Sequence, residues 1–407
     1  MARACVYTLE PVAFGGVPAK VRVVKSLLDR YEHRTNLLYT ATEQVPQTSR
    51  WDLLRYFIRH PWPSWTNDGE FEGLAIPHWP LPLWLTYALP WGLGRRAFVR
   101  RPIHIVVSGS NHCGLPPAFG RRRFIVWIGT LYSDELRGKA AAGDAWANRT
   151  LGGLSGRLLA WEERLIFSRA TLILTNGEHT AARVRQEYPQ VASKVRAVIY
   201  PVDTDLFRPD PTQRNAEAPY LLMSARINDV RKNVGMLFSA YAQVRRQRPD
   251  VRLVISGDLP DEAVRRQLAE KGLEGQVEFT GSLPESKLLQ LYQGAELYVL
   301  SSNQEGLGIS MLEALACGVP VVATRCGGPE SVIRDGITGA LTPVDDPCAL
   351  ATQVLALLED PQRMSEMRTA SAVFARQTFS RATVEKRLLE AFHDVYPTLF
   401  PPESVRV

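Results

Sequence analysis

Two glutamates, Glu305 and Glu313, stand eight positions apart in the stretch NQEGLGISMLEALACGVPVVAT, Asn303 to Thr324. A pair of carboxylates suggests a general acid and a general base, as in a glycosidase, where they lie about 5–9.5 Å apart. Eight residues of α-helix would instead separate them by roughly 12 Å along the axis and roughly 80° around it. The spacing therefore favours two acids that touch different parts of one long ligand. Glu305 follows an apolar run and is flanked by Gly306 and Gly308, where the missing side chains let a ligand approach the backbone. The next residues, Leu307 and Ile309 among them, lead into a helix. Its unpaired N–H groups and positive dipole end suit a phosphate. Ser310 to Glu313 also matches the S-x-x-E capping box, so Glu313 fits a structural cap as well.

A second set is cationic. In LLMSARINDVRKNVGMLFSAY, Arg226 lies just past a strand-like run, and Lys232 opens a helical pattern six residues on. Cations at a helix start are electrostatically unfavourable. A diphosphate would relieve Arg231 and Lys232, with Arg226 as bidentate clamp and Lys232 as point charge. Gly15-Gly16 precedes a helix of 3.6 periodicity (Val21, Val24, Leu27, Leu28) and would let a phosphate approach, although G-x-G-x-x-G is absent. Gly281, Ser282 and Leu283 join a strand to a helix and offer backbone groups to a base edge, or form an ordinary turn. Asp203-Thr204-Asp205 matches the metal-binding D-x-D, but its Pro-rich surroundings point to a turn.

These residues need strand ends and helix starts. Short apolar runs such as IHIVVSG (103–109), RFIVWIG (123–129), ATLILTN (170–176), YLLMSA, VRLVISG, VEFTG, ELYVLSS and VPVVAT alternate with helical patterns. Continuous apolar runs predict parallel strands covered on both faces. The pattern occurs on both sides of the Pro/Asp/Asn-rich stretch 198–219, which reads as a linker. It predicts two doubly wound α/β domains facing a cleft, with ligands beyond the strands' carboxyl ends.

With 407 residues, the chain has room for two domains. Its five cysteines form no CxxC or Cys/His cluster and predict reduced thiols in a cytosolic protein. The N-terminus lacks the apolar core of a signal peptide. Residues 1–200 hold 26 Lys/Arg against 15 Asp/Glu, and the remainder 22 against 27. The basic half is compatible with nucleic acid, an anionic membrane or an anionic substrate, or with a solvated face. No nucleic-acid recognition motif accompanies it. The apolar segment 73–94 approaches spanning length, but Pro77, Pro80, Pro82 and Pro90 exclude a transmembrane helix. Trp79, Trp84 and Trp91 beside Arg95, Arg96, Arg100 and Arg101 fit a membrane-interface segment, and equally a buried loop.

Taken together, the GG loop, VIYPVDTDLFRP, SAR…RKN, FTGSLPESKLLQLYQGAELYVLSS and EGLGISMLEALACGVPVVATRCGGPESVIRDGITGAL resemble the retaining nucleotide-sugar glycosyltransferases of family 4, which have the GT-B fold. The match extends over most of the chain, and its E-x7-E pattern followed by GGPE is highly specific. The resemblance implies an N-terminal acceptor-binding Rossmann-like domain (1–200), a nucleotide-sugar-binding domain (201–379) and a terminal helix (380–407) crossing back to the first. It implies that Glu305 holds donor-sugar hydroxyls and Glu313 the ribose. Arg226 and Lys232 would neutralise the diphosphate. Backbone around Gly308 and Ile309 would serve the sugar-phosphate, and Gly15-Gly16 the β-phosphate. Two cations and a helix end can stabilise the leaving diphosphate, so no metal or other cofactor is expected. Many members carry a histidine in the first domain where this chain has Gly129-Thr130; here Thr130, Asp134 or Glu135 are the remaining substrate contacts. The expected function is retaining hexosyl transfer from a nucleotide sugar to a glycan, lipid-linked or small-molecule hydroxyl in glycan or polysaccharide biosynthesis. The expected place is the cytoplasm, peripheral to the inner face of the cell membrane. An epimerase or phosphorylase on the same fold, or a non-catalytic sugar-nucleotide-binding protein, are the alternatives.

Overall fold

The structure, a computed structural model, describes residues 2–9, 16–41, 55, 64–67, 69–77, 101–109, 112–214 and 218–402. Gly15, the tryptophans Trp79, Trp84 and Trp91, and the arginines Arg95, Arg96 and Arg100 lie outside them. The chain forms two compact units. One comprises residues 1–134, 150–200 and 385–407; the other comprises 135–149 and 201–384. The helix Arg381–Val395 thus starts in the second unit and continues, from Glu385, in the first.

The first unit is built on a sheet in the order β3-β4-β2-β1-β5-β6-β7-β8, with β8 (Val195–Ala197) at its edge. Its central strands are β1 (Arg3–Leu9), β2 (Arg34–Ala41), β5 (Ile103–Val107), β6 (Ile125–Ile128) and β7 (Leu172–Thr175). The runs IHIVV, IVWI and LILT are buried along their whole length, which is why they show no polar alternation. The helix Gly16–Arg30 buries Val21, Val24, Leu27 and Leu28 as its periodicity requires. The sequence does not reveal β4 (Glu72–Pro77), which takes the start of the 73–94 segment into the sheet. It is parallel to β2 and antiparallel to β3 (Ser64–Asn67). Arg101, grouped by sequence with a basic surface cluster, donates to Asn36 Oδ1 at 2.6 Å and to Ala4 O at 3.3 Å. The chain's terminal part is fastened within this unit: Tyr396 OH donates to Arg123 O at 2.8 Å, and Arg30 pairs with Glu385 at 2.5 Å.

The second unit's sheet is parallel throughout, in the order β11-β10-β9-β12-β13-β14. The strands are β9 (Tyr220–Ala225), β10 (Arg252–Gly257), β11 (Val277–Gly281), β12 (Leu297–Leu300), β13 (Val321–Thr324) and β14 (Gly339–Thr342). From β9 the chain builds outward to β10 and β11, then returns to the other side of β9 for β12 to β14. That reversal is a topological switch point, where the carboxyl ends of β9 and β12 leave a crevice for a ligand. The first sheet has the same reversal between β1 and β5. Among the described residues, no helix is long and apolar enough to cross a membrane.

Candidate active site

Arg226 follows β9 and Glu305 follows β12, so both lie at the second unit's switch point. Glu305 is fixed at both backbone ends. Its N–H donates to Cys326 O at 3.1 Å, and its carbonyl accepts from Gly328 N–H at 2.8 Å. Gly328 has no room for a side chain, because a Cβ there would stand 2.6 Å from Leu307 Cα. This close approach explains the second glycine of the CGGPE run, and the φ of +111° at Gly327 suits the first. Ser302 Oγ donates to Glu305 Oε1 at 3.1 Å.

The anion that the sequence demands at Arg231 and Lys232 is supplied by the protein. Lys232 Nζ forms an ion pair with Glu305, with the two side chains only 14% and 12% exposed. Arg231 is gripped by Asp229 at 2.5 Å, donates to Gln304 Oε1 at 3.0 Å and lies 3.4 Å from Glu135. Burial pushes the Asp229 carboxyl up, but the Arg231 guanidinium overrides it and holds the group at about 2. Lys232 also does not open the helix. Val230–Lys232 is a short 3₁₀ turn, and Asn233 (φ +46°) caps the helix Val234–Gln247 by accepting from Met236 N–H at 3.3 Å. Arg226 is 74% exposed and only 3.9 Å from Asp229, which makes it the outward-facing cation of the set.

The capping-box alternative for Glu313 is not realised. Gly308, in a left-handed conformation (φ +80°), precedes the helix Ile309–Ala316, so Ser310 is inside it. Ser310 Oγ shares a hydrogen bond with Tyr298 OH at 2.7 Å. Glu313 Oε2 accepts from Tyr292 OH at 2.7 Å. Burial pushes the Glu313 carboxyl up to about 7, against the lowering effect of that hydrogen bond. Gly281, at the end of β11, has φ +67°, which suits glycine; beside it Ser282 is exposed and Leu283 half-buried.

In the first unit, Gly16 begins its helix. Gly129 and Thr130 follow β6, and both N–H groups donate to Gly109 O, at 3.1 and 3.2 Å. A Cβ at Gly129 would stand 3.2 Å from that carbonyl, so glycine lets the two loops meet. Asp134 and Glu135, considered above as substrate contacts, are both engaged by cations. Asp134 receives two hydrogen bonds from Arg183, at 2.8 and 3.0 Å, and Glu135 lies against Lys139 and Arg231. In Asp203-Thr204-Asp205, Asp203 Oδ1 accepts from the N–H groups of Asp205 and Leu206, as turn chemistry requires. Among the described residues, no group of three or more His, Cys, Asp and Glu could hold a metal ion.

Sequence reasoning named Arg226, Lys232, Glu305 and Glu313 but missed their supports: Asp229, Ser302, Gln304 and Tyr292. Asp229 had a local signal, two residues before Arg231. Ser302 lies three residues before Glu305, whereas Gln304 and Tyr292 stand 73 and 21 positions from Arg231 and Glu313.

The family described as "Glycosyl transferases group 1" matches residues 207–373. The GDP-mannose-dependent alpha-(1-6)-phosphatidylinositol monomannoside mannosyltransferase of Mycolicibacterium smegmatis is 31% identical over 289 residues, 65% of this chain and 75% of that relative. A D-inositol 3-phosphate glycosyltransferase of Catenulispora acidiphila is 31% identical over 248 residues, 56% of this chain; the chain spans only 59% of that relative's length. Two solved structures share the fold: sucrose-phosphate synthase from Thermosynechococcus elongatus (TM-score 0.77, 18% identity) and Anabaena HepE in complex with UDP and glucose (TM-score 0.71, 17% identity). Each similarity covers 97% of this chain and 100% of the other. GT-B, with its two parallel-sheet α/β domains, is the fold class of this chain.

Proposed function

We propose that this chain, which belongs to the group 1 glycosyl transferases, transfers a hexosyl unit from a nucleoside diphosphate sugar to a hydroxyl acceptor with retention of configuration and without a metal. The observation that carries the proposal is the Lys232–Glu305 ion pair at the switch point, with Arg226 exposed beside it. It supplies a cation for the diphosphate and a carboxylate for sugar hydroxyls at adjoining strand ends. In this proposal Glu305 accepts from the sugar, and Arg226 and Lys232 face the diphosphate. The backbone of Gly306, Leu307, Gly308 and Ile309 lies along the sugar-phosphate. Glu313 takes the ribose, and Gly281, Ser282 and Leu283 take the base. Gly15-Gly16 approaches the β-phosphate, and Gly129-Thr130 the acceptor.

The acceptor oxygen forms a bond to the anomeric carbon while the bond from that carbon to the phosphate oxygen breaks. The nucleoside diphosphate leaves with the electron pair, and the acceptor proton passes to a departing phosphate oxygen. The leaving charge develops where the two cations and the helix N-terminus lie, and preorganised charge of this kind needs no reorganisation during the reaction. The acceptor is a glycan, a lipid-linked sugar or a small hydroxyl compound. The relatives' names put inositol phosphates and phosphatidylinositol mannosides first in the trial.

The test combines donors such as GDP-mannose and UDP-glucose with these acceptors in EDTA, with products analysed by mass spectrometry and anomeric NMR coupling. Transfer with retention is expected. Glu305→Ala and Lys232→Ala should each lower kcat by roughly 10²–10³-fold while remaining folded. Wild-type kcat in either variant would refute the site, and an inverted anomer or full loss of wild-type activity in EDTA would refute the mechanism.

A further inference from the structure

Lys20 is 1% exposed and lies in the first unit's core, where among the described residues no carboxylate pairs with it. Its three ammonium donors meet three neutral acceptors: Ser108 O at 3.0 Å, Trp127 O at 3.4 Å and Asn176 Oδ1 at 3.4 Å. Ser108 follows β5, Trp127 belongs to β6 and Asn176 follows β7. One side chain therefore gathers the carboxyl ends of three adjacent strands beside the reversal between β1 and β5. Those ends carry the loops that meet at Gly129. Ser108 N–H donates to Trp127 O, Gly129 and Thr130 N–H to Gly109 O, and Thr180 Oγ1 to Gly129 O. Lys20 also sits in the second turn of the helix that begins at Gly16, so it ties that helix start to the same loops.

A buried ammonium among neutral dipoles is expensive, because among the described residues no opposite charge offsets its desolvation. Burial pushes this one down to about 7. A methionine of similar length would fill the space without that cost. A residue that the fold would be more stable without points to a role in function.

We infer that Lys20 is a positioning residue: its buried ammonium locks the β5, β6 and β7 end loops and the helix start at Gly16 into one arrangement, holding Gly129-Thr130 where the acceptor is received. The inference rests on the glycosyltransferase reading above for its last clause only.

Lys20→Met tests it through thermal unfolding, hydrogen exchange and kinetics. The expected Tm equals or exceeds that of wild type. Amide exchange in peptides covering Ser108–Gly109, Trp127–Thr130 and Asn176–Gly177 should be at least tenfold faster. In kinetics, kcat should fall at least tenfold. Unchanged exchange in those peptides overturns the inference. So does a clear fall in Tm with wild-type kcat per folded molecule, which marks a plain structural role. Should Lys20→Met not fold, Asn176→Ala carries the test, with about threefold faster exchange expected in the same peptides and no change overturning the inference. The exchange measurement needs no turnover, so a wild-type protein inactive with every donor would refute the proposed function while exchange still decides on Lys20.

Discussion

Replacing Lys232 by methionine should destabilise the protein well beyond the loss of a surface ion pair, and replacing Glu305 by glutamine as well should return most of that loss. An exposed pair contributes about 0–1 kcal/mol, whereas removing one partner of a buried pair costs about 3–5 kcal/mol. The pair here lies between these limits but nearer the second, with side chains 14% and 12% exposed. After Lys232→Met, the Glu305 carboxylate keeps the Ser302 hydroxyl at 3.1 Å and the more distant charge of Arg231. The expected cost is therefore about 2–3 kcal/mol. At roughly 2–4 °C per kcal/mol for a unit of this size, Tm falls by roughly 4–12 °C. Adding Glu305→Gln removes the stranded charge and keeps an acceptor for Ser302, so the double-mutant cycle should show a coupling of about 1.5–2.5 kcal/mol. Thermal and urea unfolding of the four proteins measure it. Additivity within about 0.5 kcal/mol would refute the claim that this pair neutralises itself. The double variant should be stable and inactive, which separates the pair's structural contribution from its chemistry.

Glu313 gives a pH prediction. Its carboxyl is held near 7 in the folded chain against the usual 4.5, so the folded state binds its proton more tightly than the unfolded state. Its contribution is present in full below about pH 4.5 and is lost as pH rises to about 7, a difference of about 3 kcal/mol. Glu313→Gln should flatten that part of the stability–pH curve, and an unchanged slope would show that the carboxyl is not held up. Membrane contact is proposed from the Trp/Arg segment alone. Neutralising Arg95, Arg96 and Arg100 together should reduce co-sedimentation with anionic liposomes by at least tenfold, at about 1 kcal/mol per arginine; undiminished binding would reject the patch.

What was legible followed from periodicity. The runs IVWI, LILT and VVAT are buried on both faces, and each is a parallel strand where the sequence places one. The strand β14 was missed because GALT is short and carries no apolar run of its own; it forms by pairing with β13, and Gly339 takes its place because a Cβ there would stand 2.0 Å from Val321 O. At the candidate site, the sequence singles out cations and glutamates but not who neutralises whom. Lys232 and Glu305 are separated by 73 positions, and Arg231 and Glu135 by more, so only the folded chain reveals that these cations have internal partners.

Lys20 is the contrary case, because its signal was local. In a helix, positions 20, 24, 27 and 28 fall on one face. The apolar stripe Val24, Leu27, Leu28 therefore already placed this lysine toward the core. A cation on the buried stripe of an otherwise regular amphipathic helix conflicts with the local pattern, and such conflicts concentrate at functional sites. The periodicity that identified the helix was thus sufficient to single out the one residue in it that packing alone does not explain.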